Sequence, residues 1–210
     1  MDLSGIQFDT DTVTTMLAGP QGPPGPAGNA PPVVTSLPAS PIDGQECYFL
    51  ADSTFGVLWH LRYRAASASP YKWECVGGLP LTAEVTGQGT LASATYADIP
   101  TAPGPSLVAP LAGDYMLAGA SALADNQLSA TFAALVAIQI GATVPSDNDV
   151  TNQLYGVTNA SGNTVSSLGS REYRRTVSAA NTTIKVVARQ AGGSPIVGVR
   201  SLAIRPVRVG

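Results

Sequence analysis

Few side chains in this sequence could do chemistry, and their spacing narrows what that chemistry would be. His60 is the single histidine, so a Ser-His-Asp or Cys-His arrangement would have to use it as its near-neutral base. It falls in VLWHLRYR (57–64), on the face shared by Leu58, Arg62 and Arg64. That position reads as a surface or interface imidazole, and no catalytic residue is assigned. Cys47 and Cys75 are the only cysteines, in strand-like stretches and in phase with Phe49 and Trp73. Two thiols without a second ligand pair do not make a zinc site. A disulfide between them would contribute roughly 3–4 kcal/mol by loop entropy. Reduced, buried thiols are the other reading, favoured where no export signal is read. Asp147 and Asp149 resemble half a calcium loop, as do Asp9 and Asp11, but neither pair is followed by the full ligand pattern. The Gly87-Gln88-Gly89 stretch precedes a strand-like run, whereas a phosphate loop opens a helix. No metal and no cofactor are expected.

Composition points away from other classes as well. Charged residues make up 12% of the 210 residues, about half of the ~25% usual in soluble domains. A monomer this poor in charge covers little of its surface with ions, so self-association is expected; a Ser/Thr/Asn-rich surface is the plainer explanation. The net charge is −3 and the densest basic cluster is REYRR (171–175), too little to neutralise a row of phosphates. Nucleic acid is therefore not an expected partner. Those arginines would pair with acids across an interface between copies, or face solvent. No run approaches the ~20 apolar residues of a membrane span, so no membrane association is expected. The opening MDLSGIQFDTDTV lacks a basic n-region and an apolar core, which speaks against a signal peptide and for assembly in the cytoplasm.

The elements that would position these residues are read as strands. Residues 31–81 suggest a small β-meander: ECYFLA (46–51), VLWHLRYR and YKWECV (71–76), with Trp59 and Trp73 as its core. Three strands alone are marginal and need a surface to pack on. From 82 to 210 short strands continue: GTLASATYADI, PSLVAPL, DYMLAGAS, SATFAALVAIQIG, NQLYGVT, REYRRTVSA, TTIKVVAR and IVGVRSLAIRPVRVG. In TFAALVAIQI both faces are mostly apolar, as in a strand covered on two sides. Leu202 and Ile204 share a parity that Val207 and Val209 break, placing a bulge or edge at Pro206. This many short strands suit a jelly-roll sandwich.

The start of the chain differs in kind. Gly19, Gly22, Gly25 and Gly28 stand at every third position with proline between them. That is the pattern of a collagen-like triple helix, in which only glycine fits the axis. A stiff linker would need the prolines but not the strict glycine period. Residues 19–30 would span roughly 35 Å at ~3.1 Å per residue. Four triplets cannot hold three chains together when ordering each residue costs about 1–2 kcal/mol, so another part of the protein must be trimeric. Residues 1–18 cannot bury a core. Leu3, Ile6, Phe8, Val13, Met16 and Leu17 suit an anchor peptide that orders on a partner, as against a disordered tail.

LPASPIDGQECYFLADSTFGVLWHLRYRAASASPYKWECVGGLPL (37–81) is similar to a segment of tail and fibre proteins of double-stranded DNA bacteriophages. The P-x-S-P-x-D-G-Q-E opening and the W-H-L-R-Y-R…Y-K-W-E-x-V-G-G body carry the likeness. The region from TYADIPTAPGPSLVAPLAGDYML to RSLAIRPVRVG resembles, more loosely, trimeric jelly-roll heads of the tumour necrosis factor and complement type. The resemblance implies an all-β homotrimer: a short collagen-like triple helix (19–30), a meander (31–81) and a jelly-roll head (82–210), borne on a virion. The 1–18 peptide would join a capsid or tail protein, a capsid suiting a short anchor. The alternative is a minor tail or receptor-binding protein whose head meets host glycan or protein through Tyr155, Tyr173 and the loops near 125 and 147. Cys47 and Cys75 depart from the ordinary core residues such a segment would carry.

Overall fold

A computed structural model describes residues 30–125, 131–157, 165–193 and 195–210. Within them, alternating apolar residues and Gly/Pro/Asn turns resolve into β1 (Val33–Val34), β2 (Glu46–Asp52), β3 (Val57–Tyr63), β4 (Trp73–Gly78), β5 (Leu81–Val85), β6 (Gly89–Thr90), β7 (Ser106–Ala109), β8 (Gly113–Asp125), β9 (Thr131–Ile140), β10 (Val150–Val157), β11 (Val165–Val177), β12 (Thr182–Ala191) and β13 (Ile196–Val209). A single 3-10 turn, Asp147–Asp149, precedes β10. No helix of the described residues is long and apolar enough to cross a membrane. The glycine positions 19, 22, 25 and 28, the anchor residues Leu3, Ile6, Phe8, Val13, Met16 and Leu17, the Asp9/Asp11 pair and the loop at 126–130 lie outside the described residues.

Two sheets face each other. The larger runs β1-β2-β3-β4-β13-β8-β11, with β5 and β6 also on β13; the smaller runs β10-β9-β12-β7. After β6 the chain changes sheet at nearly every step, β9 to β10 and their hairpin excepted. That wrapping is a jelly-roll sandwich. Its core is built from the inward residues of both sheets, among them Leu117, Leu123, Leu202 and Ile204 from one and Val136, Ile138, Ile184 and Val186 from the other. In β9 the run from Ala134 to Ile138 is buried on both faces.

The meander and the head are not separate bodies. Residues 31–81 and 82–210 fall in one compact unit, Pro31–Gly210, because β4, β5 and β6 take successive lengths of one edge of β13. Pairing this continuous erases a boundary at residue 81. The meander finds its missing surface in the same way. Trp59 and Trp73 are buried, and the Trp59 ring meets Tyr115 of β8 edge-on at 6.1 Å while its indole N–H donates to Leu79 O at 3.1 Å. The Tyr115 hydroxyl donates to Leu111 O at 2.7 Å, holding the turn into β8. Gly78, at φ +116°, has no room for a side chain, since a Cβ would lie 2.4 Å from Leu58 O.

Two expectations shift. GTLASATYADI is a strand only at Gly89–Thr90. Beyond it the chain crosses between sheets, and its backbone bonds go to both: Leu91 N to Pro195 O, and the amides of Ala188 and Gln190 to Ala97 O and Ser93 O. The expected boundary after residue 81 falls inside β5, Leu81–Val85. The irregularity at Pro206 is present as a register shift between Pro206 and Arg208.

A second register shift, between Val197 and Arg200, turns carbonyls away from the ladder, and Arg200 answers it. This arginine is fully buried and has no carboxylate partner among the described residues. Its Nη1 donates to Gly87, Val197 and Gly198 carbonyls at 3.0, 3.2 and 2.6 Å, and Nη2 to Ala102 O at 2.8 Å. One side chain thus ties the 86–105 crossing to β13. Arg200→Ala leaves the buried Val197 carbonyl and three part-buried ones without this donor, so denaturant unfolding is expected to show a loss of about 2–4 kcal/mol. A loss under ~1 kcal/mol would show that the tie is not structural.

Candidate functional site

The outward face of the large sheet is built from small side chains. On β8 the pleat turns Leu117, Ser121 and Leu123 into the core and leaves Ala118, Ala120, Ala122 and Ala124 half-buried on the outside. Register extends the face sideways: Thr82, Ala203, Ala118 and Glu172 form one row, and Glu84, Ser201, Ala120 and Ser170 the next. Between the flanking carboxylates lies a trough of about 550 Å³. Leu168, opposite Ala122, is 86% exposed. Between the longer Glu84, Glu172 and Leu168, the small side chains of β8 and β13 let a second backbone approach closely, and their apolar content favours covering them.

The REYRR stretch forms a second constellation, at the end of the sandwich. Tyr173 is only 8% exposed, which corrects its assignment as an outward host contact. Its ring is sandwiched between the guanidinium groups of Arg171 and Arg175, at 5.1 and 4.6 Å, and its hydroxyl donates to Asp149 O at 3.1 Å. Burial first, then the Asp149 charge, pushes the phenol upward. Tyr155, by contrast, is 61% exposed. The arginines pair within the chain: Arg174 with Asp114 at 2.6 Å and Arg175 with Asp149 at 2.8 Å. Asp149 also accepts from the Ser146 amide and hydroxyl, both at 2.8 Å. These bonds explain why the 145–149 segment folds back as it does, and they occupy both carboxylate oxygens that a calcium loop would need.

Burial by itself would raise both aspartates. For Asp114 the Thr176 hydroxyl and Arg174 outweigh it, and for Asp149 the Ser146 donors and Arg175 do, so both sit below the ordinary carboxylate value. His60 belongs to neither constellation. Its Nε2 lies 2.8 Å from Glu46 Oε2 and its ring 4.8 Å from that of Tyr48. The hydrogen bonds from His60 and then Arg62 hold Glu46 low.

Cys47 pairs across to Leu61, and Leu61 to Cys75. The thiols are therefore two strand spacings apart, about 9–10 Å, beyond the ~7 Å limit for a bridge. The disulfide alternative is closed, and burial raises both thiols. Among the described residues no group of three or more His, Cys, Asp or Glu could hold a metal ion.

No protein-family model matches the chain, and no curated protein matches it. Similar solved structures include the Eiger TNF of S. frugiperda, at 9% identity and TM-score 0.36 over 60% of this chain and 92% of that one. The structure of infectious bursal disease virus, Gx strain, is similar at 12% identity and TM-score 0.34, over 69% of this chain and 38% of that one. The PRD1 vertex protein P5 is similar at 12% identity and TM-score 0.30, over 64% and 100%. Likenesses at these scores assign no activity or partner to this chain.

Lowered aspartates contribute stability that is full above their unfolded value and lost as pH falls through the folded one. The melting temperature is expected to hold from about pH 7 to 5 and to fall below about pH 4. Asp149→Asn removes part of that dependence: it costs about 1–3 kcal/mol at neutral pH, and its curve converges with the parent's in acid. Parallel curves across the whole range would show that Asp149 titrates alike folded and unfolded.

Proposed function

We propose that this protein is a homotrimeric structural protein of a bacteriophage virion, with a collagen-like stalk bearing an outward jelly-roll head. One observation carries the reading: four glycines in strict three-residue register, a pattern only a three-chain helix requires. The small-residue face of the large sheet supplies the clamp that so short a stalk needs. Low charge and the likeness of residues 37–81 to phage tail and fibre segments support the same reading. The role in this reading is attachment or reinforcement.

In this reading Leu3, Ile6, Phe8, Val13, Met16 and Leu17 join the trimer to the particle, with a capsid protein favoured over a tail protein as the partner. Thr82, Glu84, Ala120 and Ser201 lie where a neighbouring copy would seat. The exposed Tyr155 favours a second reading, in which the head also meets a host surface.

Light scattering of the full chain across a dilution series is expected to give three times the chain mass. Ala120→Arg places a long cation in the middle of the outward face and is expected to yield monomers whose far-ultraviolet circular dichroism in the β region is unchanged. A monomeric parent protein overturns the trimer; a trimeric Ala120→Arg variant overturns the face. Deleting residues 2–17 is expected to leave a trimer that no longer enters particles, and normal incorporation would remove the anchor.

A further inference from the structure

The end of the sandwich that carries REYRR holds a cavity that assembly does not explain. It has a volume of about 400 Å³, inside the ~300–1,000 Å³ range of small-ligand sites. Ile138 and Ile140 from the end of β9 form an apolar floor, and Pro145 and Val144 form one side. Val144 is 70% exposed, an apolar side chain that the described residues leave open. The lining also includes Thr143, Thr176, Ser178 and Thr182, of which Thr176 donates its hydroxyl to Asp114 Oδ1 and Thr182 to Ala179 O, both at 2.7 Å. The lining is therefore mixed, with apolar side chains and the hydroxyl residues Thr143 and Ser178 beside one another.

The charged pair on the wall is held in place before any ligand arrives. Arg175 Nε and Nη2 lie 2.9 and 2.8 Å from Asp149 Oδ1. Its remaining bonds go to the carbonyls of Arg174 and Asn148, both at 3.0 Å. The guanidinium is stacked on Tyr173 at 4.6 Å. Even so, the Arg175 side chain keeps 32% of its surface open. Asp149 is fixed in turn by Ser146. A side chain locked by this many partners loses little entropy on binding. The pair is also neutral as a unit, so a ligand with net charge would find no unpaired counter-charge there.

Apolar side chains, hydroxyls and a fixed ion pair without net charge lining one cavity suit a ring with a C–H face and a rim of hydroxyls. We propose that this cavity binds a neutral saccharide, one ring deep, against Ile140 and Val144 and beside the Asp149-braced Arg175 and Ser178. The inference does not rest on the virion reading, since it concerns one head and would hold for a monomer.

Saturation-transfer NMR on the full chain tests it, with glucose, galactose, N-acetylglucosamine, lactose, chitobiose and glucuronic acid as probes. At least one neutral sugar is expected to bind with a dissociation constant of about 1 mM. Free sugars and chain ends are separated by comparing each monosaccharide with its disaccharide. Arg175→Met is expected to weaken binding at least ~10-fold, the loss of one good hydrogen-bonded contact. Because that variant also leaves Asp149 unpaired, Ser178→Trp serves as the second. It fills the mouth without touching the pair, and should abolish transfer while the melting temperature stays unchanged. No transfer from any neutral sugar at about 20 mM overturns the proposal. So does undiminished binding to Ser178→Trp, or glucuronic acid binding more tightly than glucose. Light scattering on the same samples reports the trimer separately, so the two readings fail independently.

Discussion

The ladder along β13 is the interaction on which the rest of the structure depends. One edge of this strand pairs with β8, and the other is shared in turn by β4, β5 and β6. Every piece of the large sheet therefore reaches the others through the final residues of the chain. A sheet with its central strand last in sequence cannot close early. Its contacts span long loops, a topology that folds slowly and all at once. The bulge between Val197 and Arg200 is the weak point of that ladder, and a buried cation on four carbonyls secures it. Arginine suits this task because its donors fan out in a rigid plane and hold their charge even when desolvated.

Joining the meander to β13 changes what its tryptophans do. A free three-stranded unit would leave one side of Trp59 in water. Here that ring closes on Phe49 and Tyr115, and Trp73 on Tyr63. The aromatic cluster spans the junction, so burial that would be too small for either part alone is shared. On the opposite side, the same β8 that supplies Tyr115 shows Ala118, Ala120, Ala122 and Ala124 beyond Asp114 and Met116. One strand thus serves the core with its large residues and leaves a smooth exterior with its small ones. Such an exterior is suited to contact because nothing on it must be moved aside.

The Asp149–Arg175–Tyr173 group shows how polar residues fix loop geometry without forming a catalytic site. Asp149 satisfies the Ser146 amide, Arg175 caps two carbonyls, and the Tyr173 ring is in contact with two guanidinium groups. The segment from Thr143 to Asp149 is held open against the end of β9, and the hollow beside it is a consequence of that bracing.

Alternation alone located most strands, from ECYFLA to the long C-terminal run, because a half-buried strand must place apolar residues at every second position. The tryptophan core, the bulge at Pro206 and the doubly covered β9 were legible for the same local reason. The glycine period at 19–28 stands in the sequence alone, outside the described residues. What only the tertiary structure decided was pairing. Cys47 and Cys75 share a phase, but an intervening strand sets them too far apart to bridge. Tyr173 sits among charges in sequence, and those same charges enclose it once β11 lies beside the 145–149 turn. Arg200 looked like any strand arginine, for its carbonyl partners come from residues up to 113 positions away. Periodicity records which way a side chain points; which neighbour it meets depends on strands brought together from distant parts of the chain.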